Sequence, residues 1–145
     1  MAQVKFEHFN EDWVKRVLNS KPTRGIDGFL GIVITEVERG RLVAEMAVTK
    51  ELITGMSNMH GGCLSALCDH VLGTVMYPVM PPQHWAATTE FKINLLAPVT
   101  TGVCRATSQI IAMTRRMAVV RIEVENEGRL VAAAQGTCTI VAPKA

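Results

Sequence analysis

Apolar and polar positions along the chain predict a short amphipathic helix, two strands, a helix that is apolar on nearly every face, and four further strands. Asn10 is a capping residue followed by two acids, and Trp13, Val14, Val17 and Leu18 recur at helical spacing, which predicts a helix over about 10–19. Pro22 and Gly25 end it. Ile32 to Val37 and Leu42 to Val48 are β-branched-rich runs around the polar turn Glu38-Arg39-Gly40-Arg41, the pattern of a hairpin. From His60 to Tyr77 the chain is helix-length and apolar all round until Pro78 stops it, which marks a buried helix. Thr89, Phe91, Ile93 and Leu95 then alternate with Glu90, Lys92 and Asn94 as a half-buried strand ending before Pro98. Val103 to Met113, Met117 to Glu125 and Leu130 to Val141 complete the set, joined by turns short enough for antiparallel neighbours. This is an α+β pattern: one mainly antiparallel sheet that must curve around a single apolar helix.

Composition adds bounds to that picture. At 145 residues the chain suits one domain, 1–145, with its core over about 28–141. Fifteen Lys and Arg against thirteen Asp and Glu give a net charge of +2, too little for a dedicated nucleic-acid or anionic-membrane binder. Hydrophobic residues make up 48% but aromatics only 5%, which excludes disorder. A monomer of this size buries only about 70% of its unfolded surface, so the apolar surplus points to self-association. No run reaches the roughly 18–20 apolar residues of a membrane-spanning helix, and the first residues lack a signal-peptide core. The expectation is a soluble cytoplasmic protein. Cys63, Cys68, Cys104 and Cys138 have no Cys-x-x-Cys spacing and sit in apolar segments, as free buried thiols do.

Nucleotide-loop, dinucleotide, zinc-protease and nucleophile-elbow motifs are absent. What remains is His60-Gly61-Gly62 at the start of the apolar helix and Asp69 within it. Glycines there allow close backbone approach, and first-turn N–H groups at the positive end of the helix dipole can stabilise an oxyanion. A carboxylate in an apolar helix is costly to bury unless it serves a site, so Asp69 is read as a functional carboxylate in buried surroundings. His60 and Asp69 lie nine residues apart in sequence, which on a helix means opposite sides and about 13 Å along the axis. One chain cannot close a site between them; two antiparallel copies can. His70 points about 100° away from Asp69 and forms no relay with it. His60, Cys63, Cys68, His70 and His84 have no established zinc spacing, so no metal is expected.

The run from His60 to Asp69, the strand Thr88 to Val99 with its Asn94-x-x-x-Pro98, Gly102, and the stretch from Glu127 to Ala132 ending in Gly136-Thr137 together resemble the hotdog-fold acyl-CoA thioesterases of the PaaI-like type. The resemblance spans roughly 30–141. It implies a hotdog fold, a curved antiparallel sheet wrapped around a central helix, in homodimers that pair into dimers of dimers. It implies hydrolysis of an acyl-CoA thioester without cofactor, coenzyme A being part of the substrate. Gly61 would polarise the carbonyl through its N–H, Asp69 of the partner chain would act as general base or nucleophile, Thr88 would position water, and His60 would orient the loop or contact the thioester. Gly62, Ser65 and Thr54 would line the substrate, Thr54 standing where many members carry Asn. Arg115 and Arg116 form a basic turn able to meet the phosphates of coenzyme A. Two other readings of the same fold are a non-catalytic acyl-CoA or acyl-carrier binding module and a hydratase or dehydratase.

Overall fold

The computed structural model describes residues 4–145. Its elements are α1 (Glu11–Leu18), α2 (Gly25–Leu30), β1 (Ile32–Glu38), β2 (Arg41–Ala47), a 3-10 turn (Lys50–Leu52), α3 (Gly61–Thr74), β3 (Trp85–Leu95), β4 (Val103–Met113), β5 (Met117–Asn126) and β6 (Arg129–Val141). Asn10 caps α1 as its side chain predicts, accepting the Trp13 N–H at 2.9 Å. The short helix α2 and the 3-10 turn have no counterpart in the hydrophobic pattern. Two glycines in six residues give α2 little intrinsic helicity, and it closes on Gly31 in the left-handed conformation.

The strands form one antiparallel sheet in the order β1-β2-β4-β5-β6-β3. The expected hairpins are there, while β3 crosses to the far edge and pairs only with β6. It begins at Trp85, earlier than its alternation indicates, and a bulge between Thr88 and Glu90 turns Thr89 outward to bond Thr139, leaving Phe91 and Ile93 to face the core.

Leu64, Leu67, Cys68, Val71 and Leu72 of α3 are buried against the concave face of the sheet. Gly136 on β6 makes that approach possible: a Cβ there would collide with Leu72 and stand 2.5 Å from Phe91 Cβ and 2.6 Å from the Glu90 carbonyl. The convex face is polar. Arg105 on β4 reaches across β2 to Glu36 and Glu45, and Arg41 bonds Glu36 and Glu38. The N-terminal segment crosses one end of the sheet, tied by the Asn10 N–H to the Pro78 carbonyl at 2.8 Å and by Trp13 stacked on Tyr77 with centroids 6.0 Å apart.

Candidate active site

The chain is held on both sides of the α3 N-terminus. The Met59 N–H donates to Val99 O at 2.7 Å and the His60 N–H to Leu52 O at 2.9 Å, while Ile53 bridges Met59 across the loop between them. Thr54 lies at the base of that loop, where its hydroxyl oxygen accepts the Met56 N–H at 3.1 Å and its own N–H bonds Asn58 O. His60 is then the N-cap in extended backbone, φ −62° and ψ 131°. Its Nδ1 accepts the Gly62 N–H at 2.8 Å, so the neutral ring carries its proton on Nε2, facing outward. The Cys63 N–H turns back to the His60 carbonyl at 2.9 Å. Of these first-turn amides, that of Gly61 alone has no acceptor among the described residues. Ser65 lies one turn on, its hydroxyl donating to Gly61 O at 3.0 Å.

Asp69 corrects the expectation of burial. It is exposed, on a stripe of α3 where Gly62, Ser65, Ala66 and Gly73 are small and the sheet does not reach. Leu72 and Met76, three and seven residues further on, are wholly buried in the protomer's own core. The neighbouring Cys138 thiol lies under both Asp69 and Thr88. Burial pushes it up to about 11, against the Thr88 hydroxyl and with the Asp69 charge, and its Sγ donates to Leu72 O at 3.5 Å. Thr88 on β3 stands opposite Cys138 in the β3–β6 ladder, so Thr88 and Asp69 both act on this one thiol. His70 turns the other way, its pKa lowered by burial against the opposing charges of Asp27 and Asp69.

One chain therefore presents three separate groups. His60, Gly61, Gly62, Ser65 and Thr54 gather at the helix start; Asp69 and Thr88 stand mid-helix, with Gly61 and Asp69 roughly 12 Å apart along the axis. Arg115 and Arg116 lie at the opposite end of the molecule, on the rim of a cavity of about 1080 Å³. That cavity is also lined by Lys5, His8 and His84, which no sequence spacing links to the arginines. Among the described residues no group of three or more His, Cys, Asp or Glu side chains could hold a metal ion. No described helix is long and apolar enough to cross a membrane.

A curved antiparallel sheet around one helix that opens on His-Gly-Gly defines the hotdog class. Residues 56–133 match the family model of the thioesterase superfamily, and the chain belongs to that superfamily, a family of thioester hydrolases. It is 26% identical over 103 residues, 71% of this chain and 84% of the relative, to a 1,4-dihydroxy-2-naphthoyl-CoA hydrolase of Listeria monocytogenes. Its fold is similar to that of the PaaI protein from the phenylacetic acid degradation operon of E. coli, with a TM-score of 0.79 at 23% identity, covering 92% of this chain and 94% of that one. It is likewise similar to that of the thioesterase HI1161 of Haemophilus influenzae, with a TM-score of 0.81 at 18% identity, covering 97% and 96%.

Proposed function

We propose that the chain hydrolyses acyl-CoA thioesters to a carboxylic acid and coenzyme A at a site shared by two copies, with neither metal nor organic cofactor. The observation that carries this reading is the division on α3: one open N–H at Gly61, and an exposed carboxylate at Asp69 on a stripe of small residues that a second helix can approach closely. The substrate carbonyl oxygen accepts from Gly61, and Asp69 of the partner subunit takes a proton from water held by the Thr88 hydroxyl. Hydroxide adds to the carbonyl carbon, the tetrahedral oxyanion collapses, and the C–S bond breaks to release the thiolate, which takes the proton from Asp69 of the partner subunit and leaves as coenzyme A. His60 holds the helix start in place through Gly62, while Gly62, Ser65 and Thr54 border the path of the thioester. The exposed edge of β3, with Trp85 51% and Leu95 54% exposed, supports a homodimer closed along that edge, and dimers of dimers follow from the same family likeness.

Free thiol release over short, long and aromatic acyl-CoAs tests the reading, the aromatic ones first because the Listeria relative is named for an aryl-CoA. Turnover by the native chain and a loss of about 10²- to 10⁴-fold in Asp69→Asn are expected. Tight binding without thiol release would identify a binding module instead, and loss of enoyl absorbance without thiol a hydratase.

A further inference from the structure

The inward-facing row of β3 runs alongside α3. Phe91 and Ile93 pack against the core, and Phe91 and Leu72 of α3 close over Gly136 from either side. Side chains alternate along a strand, so Leu95, two residues beyond Ile93, faces the same way at the other end of the helix. There its Cδ1 would stand 2.5 Å from a Cβ placed on Gly61, which puts the methyl in van der Waals contact with the Gly61 backbone. The main chain beneath it is fixed. Leu95 pairs with Ala132, the Leu96 N–H donates to Val131 O at 2.8 Å, and the Met59 N–H ties the approach to the helix to Val99 O at 2.7 Å. The side chain itself is 54% exposed. An apolar side chain is thus held on a rigid strand end beside the Gly61 N–H, which has no acceptor among the described residues.

We infer that Leu95 selects the acyl group: its side chain lies over the Gly61 backbone, turns aside as a thioester carbonyl reaches the amide, and then packs on the acyl carbons next to that carbonyl, favouring acyl groups that are apolar there over ones that carry a charge. The inference rests on the thioester reading above, because it takes the Gly61 N–H as the group that receives the carbonyl. A carbonyl held there brings its first acyl carbons within reach of Leu95, and covering the open half of that side chain removes apolar surface from water. A carboxylate in the same place loses its water against a leucine and gains nothing in return. Lys92, the one cation of β3, alternates to the opposite face, and Asp69, the charge that the proposed site supplies, repels a second carboxylate.

Isovaleryl-CoA and malonyl-CoA test this, since their acyl groups branch alike and differ in charge. The readout is the ratio of kcat/KM for the two on one preparation, which cancels differences in folding or assembly between variants. Calorimetric titration with the matching inert ketones, in which a methylene separates sulfur from the carbonyl, gives the same ratio as affinities without turnover. The native chain should favour the isovaleryl compound tenfold or more in both measurements. Leu95→Asn, which keeps about the same bulk and makes it polar, should cut the ratio about tenfold, and Leu95→Met, apolar and of similar volume, should hold it. A native ratio near one, a ratio unchanged in Leu95→Asn, an equal fall in Leu95→Met, or binding of neither ketone would each overturn the role of Leu95, and turnover of either thioester would leave hydrolysis standing. Ketone binding that follows the expected ratios with no thiol released from any thioester would uphold Leu95 as the selecting residue and sink the hydrolase reading.

Discussion

His60 accepts the Gly62 N–H through Nδ1 at 2.8 Å, so the residue that opens the apolar helix also caps it. A Cβ at position 62 would stand 2.8 Å from that same nitrogen, and the two positions are therefore tied: the ring sits where it does because residue 62 is glycine. His60→Ala removes the cap and is expected to cost about 1 kcal/mol of stability, which His60→Asn should largely recover because Asn is among the favoured capping residues. Urea unfolding of the three proteins checks this, and equal losses in Ala and Asn would show that the cap contributes nothing.

Gly61 offers a cleaner separation. Proline is favoured at the first position of a helix, and the preceding residue is already extended, φ −62° and ψ 131°, as a residue before proline must be. Gly61→Pro therefore deletes the one open amide with little backbone strain. An added Cβ would come within 2.5 Å of Leu95 Cδ1, the tip of a side chain that is 54% exposed and free to turn. Gly61→Ala carries the same Cβ with the N–H intact. The ratio of kcat between the two variants isolates the hydrogen-bond donor, and a value of about 10²- to 10³-fold in favour of Ala is expected for an oxyanion contact. Equal kcat would remove Gly61 from the chemistry.

The four thiols should react unequally. Burial pushes Cys68 up to about 12 and Cys104 and Cys138 to about 11, while Cys63, three residues after His60, is half-buried and raised by burial alone. Iodoacetamide at mildly alkaline pH should label the native protein slowly at Cys63 alone, and all four after unfolding, as read by intact mass. Labelling of Cys68 in the native protein at the rate of Cys63 would contradict the packing of α3 on the sheet.

Acid should act on the convex face. The Arg105 guanidinium, and after it Arg41, holds the Glu36 carboxyl below its ordinary value of 4.5 by hydrogen bonding to its charged form. A carboxyl lowered on folding stabilises the fold above its unfolded value, and that contribution is lost as pH falls through the folded value. Stability should drop as pH falls below about 4.5, and Glu36→Gln should show a shallower drop in that window. Parallel acid limbs for the two proteins in denaturant titrations would exclude Glu36 as a contributor.

How much of this was legible in the sequence depended on range. The β1–β2, β4–β5 and β5–β6 hairpins follow from alternation and short polar turns, and α3 from an apolar run bounded by His60 and Pro78. Thr89 lies on the face opposite to the one its alternation predicts because the bulge after Thr88 breaks the period of two. The helix α2 was invisible because Gly25 and Gly28 erase its propensity, and it holds through its surroundings, with Leu30 buried in the core. Asp69 departs from the expected burial for a different reason. A helix apolar all round has no periodic signal to say which stripe the sheet covers, and the boundary falls between Asp69, which is exposed, and Leu72, which is wholly buried. The large cavity was out of reach altogether, since Lys5, His84 and Arg116 meet only once β6 and the N-terminal segment are in place.

The proposed shared site makes a prediction that no single-chain mechanism makes. If Gly61 of one subunit works with Asp69 of its partner, a dimer of one Gly61→Pro chain and one Asp69→Asn chain has one site carrying both defects and one carrying neither. Each parent homodimer has a defect in both sites. Coexpressing the two variants under different tags and isolating the doubly tagged dimer should therefore recover about half of native kcat per dimer from two nearly inactive parents. Were both groups supplied by one chain, every site in the mixed dimer would carry one defect and nothing would be recovered. Stability does not confound the readout, because Asp69 is exposed and its side chain makes no hydrogen bond among the described residues that Asn would break. An inactive mixed dimer with native KM for the acyl-CoA would place Gly61 and Asp69 in different roles from those argued above.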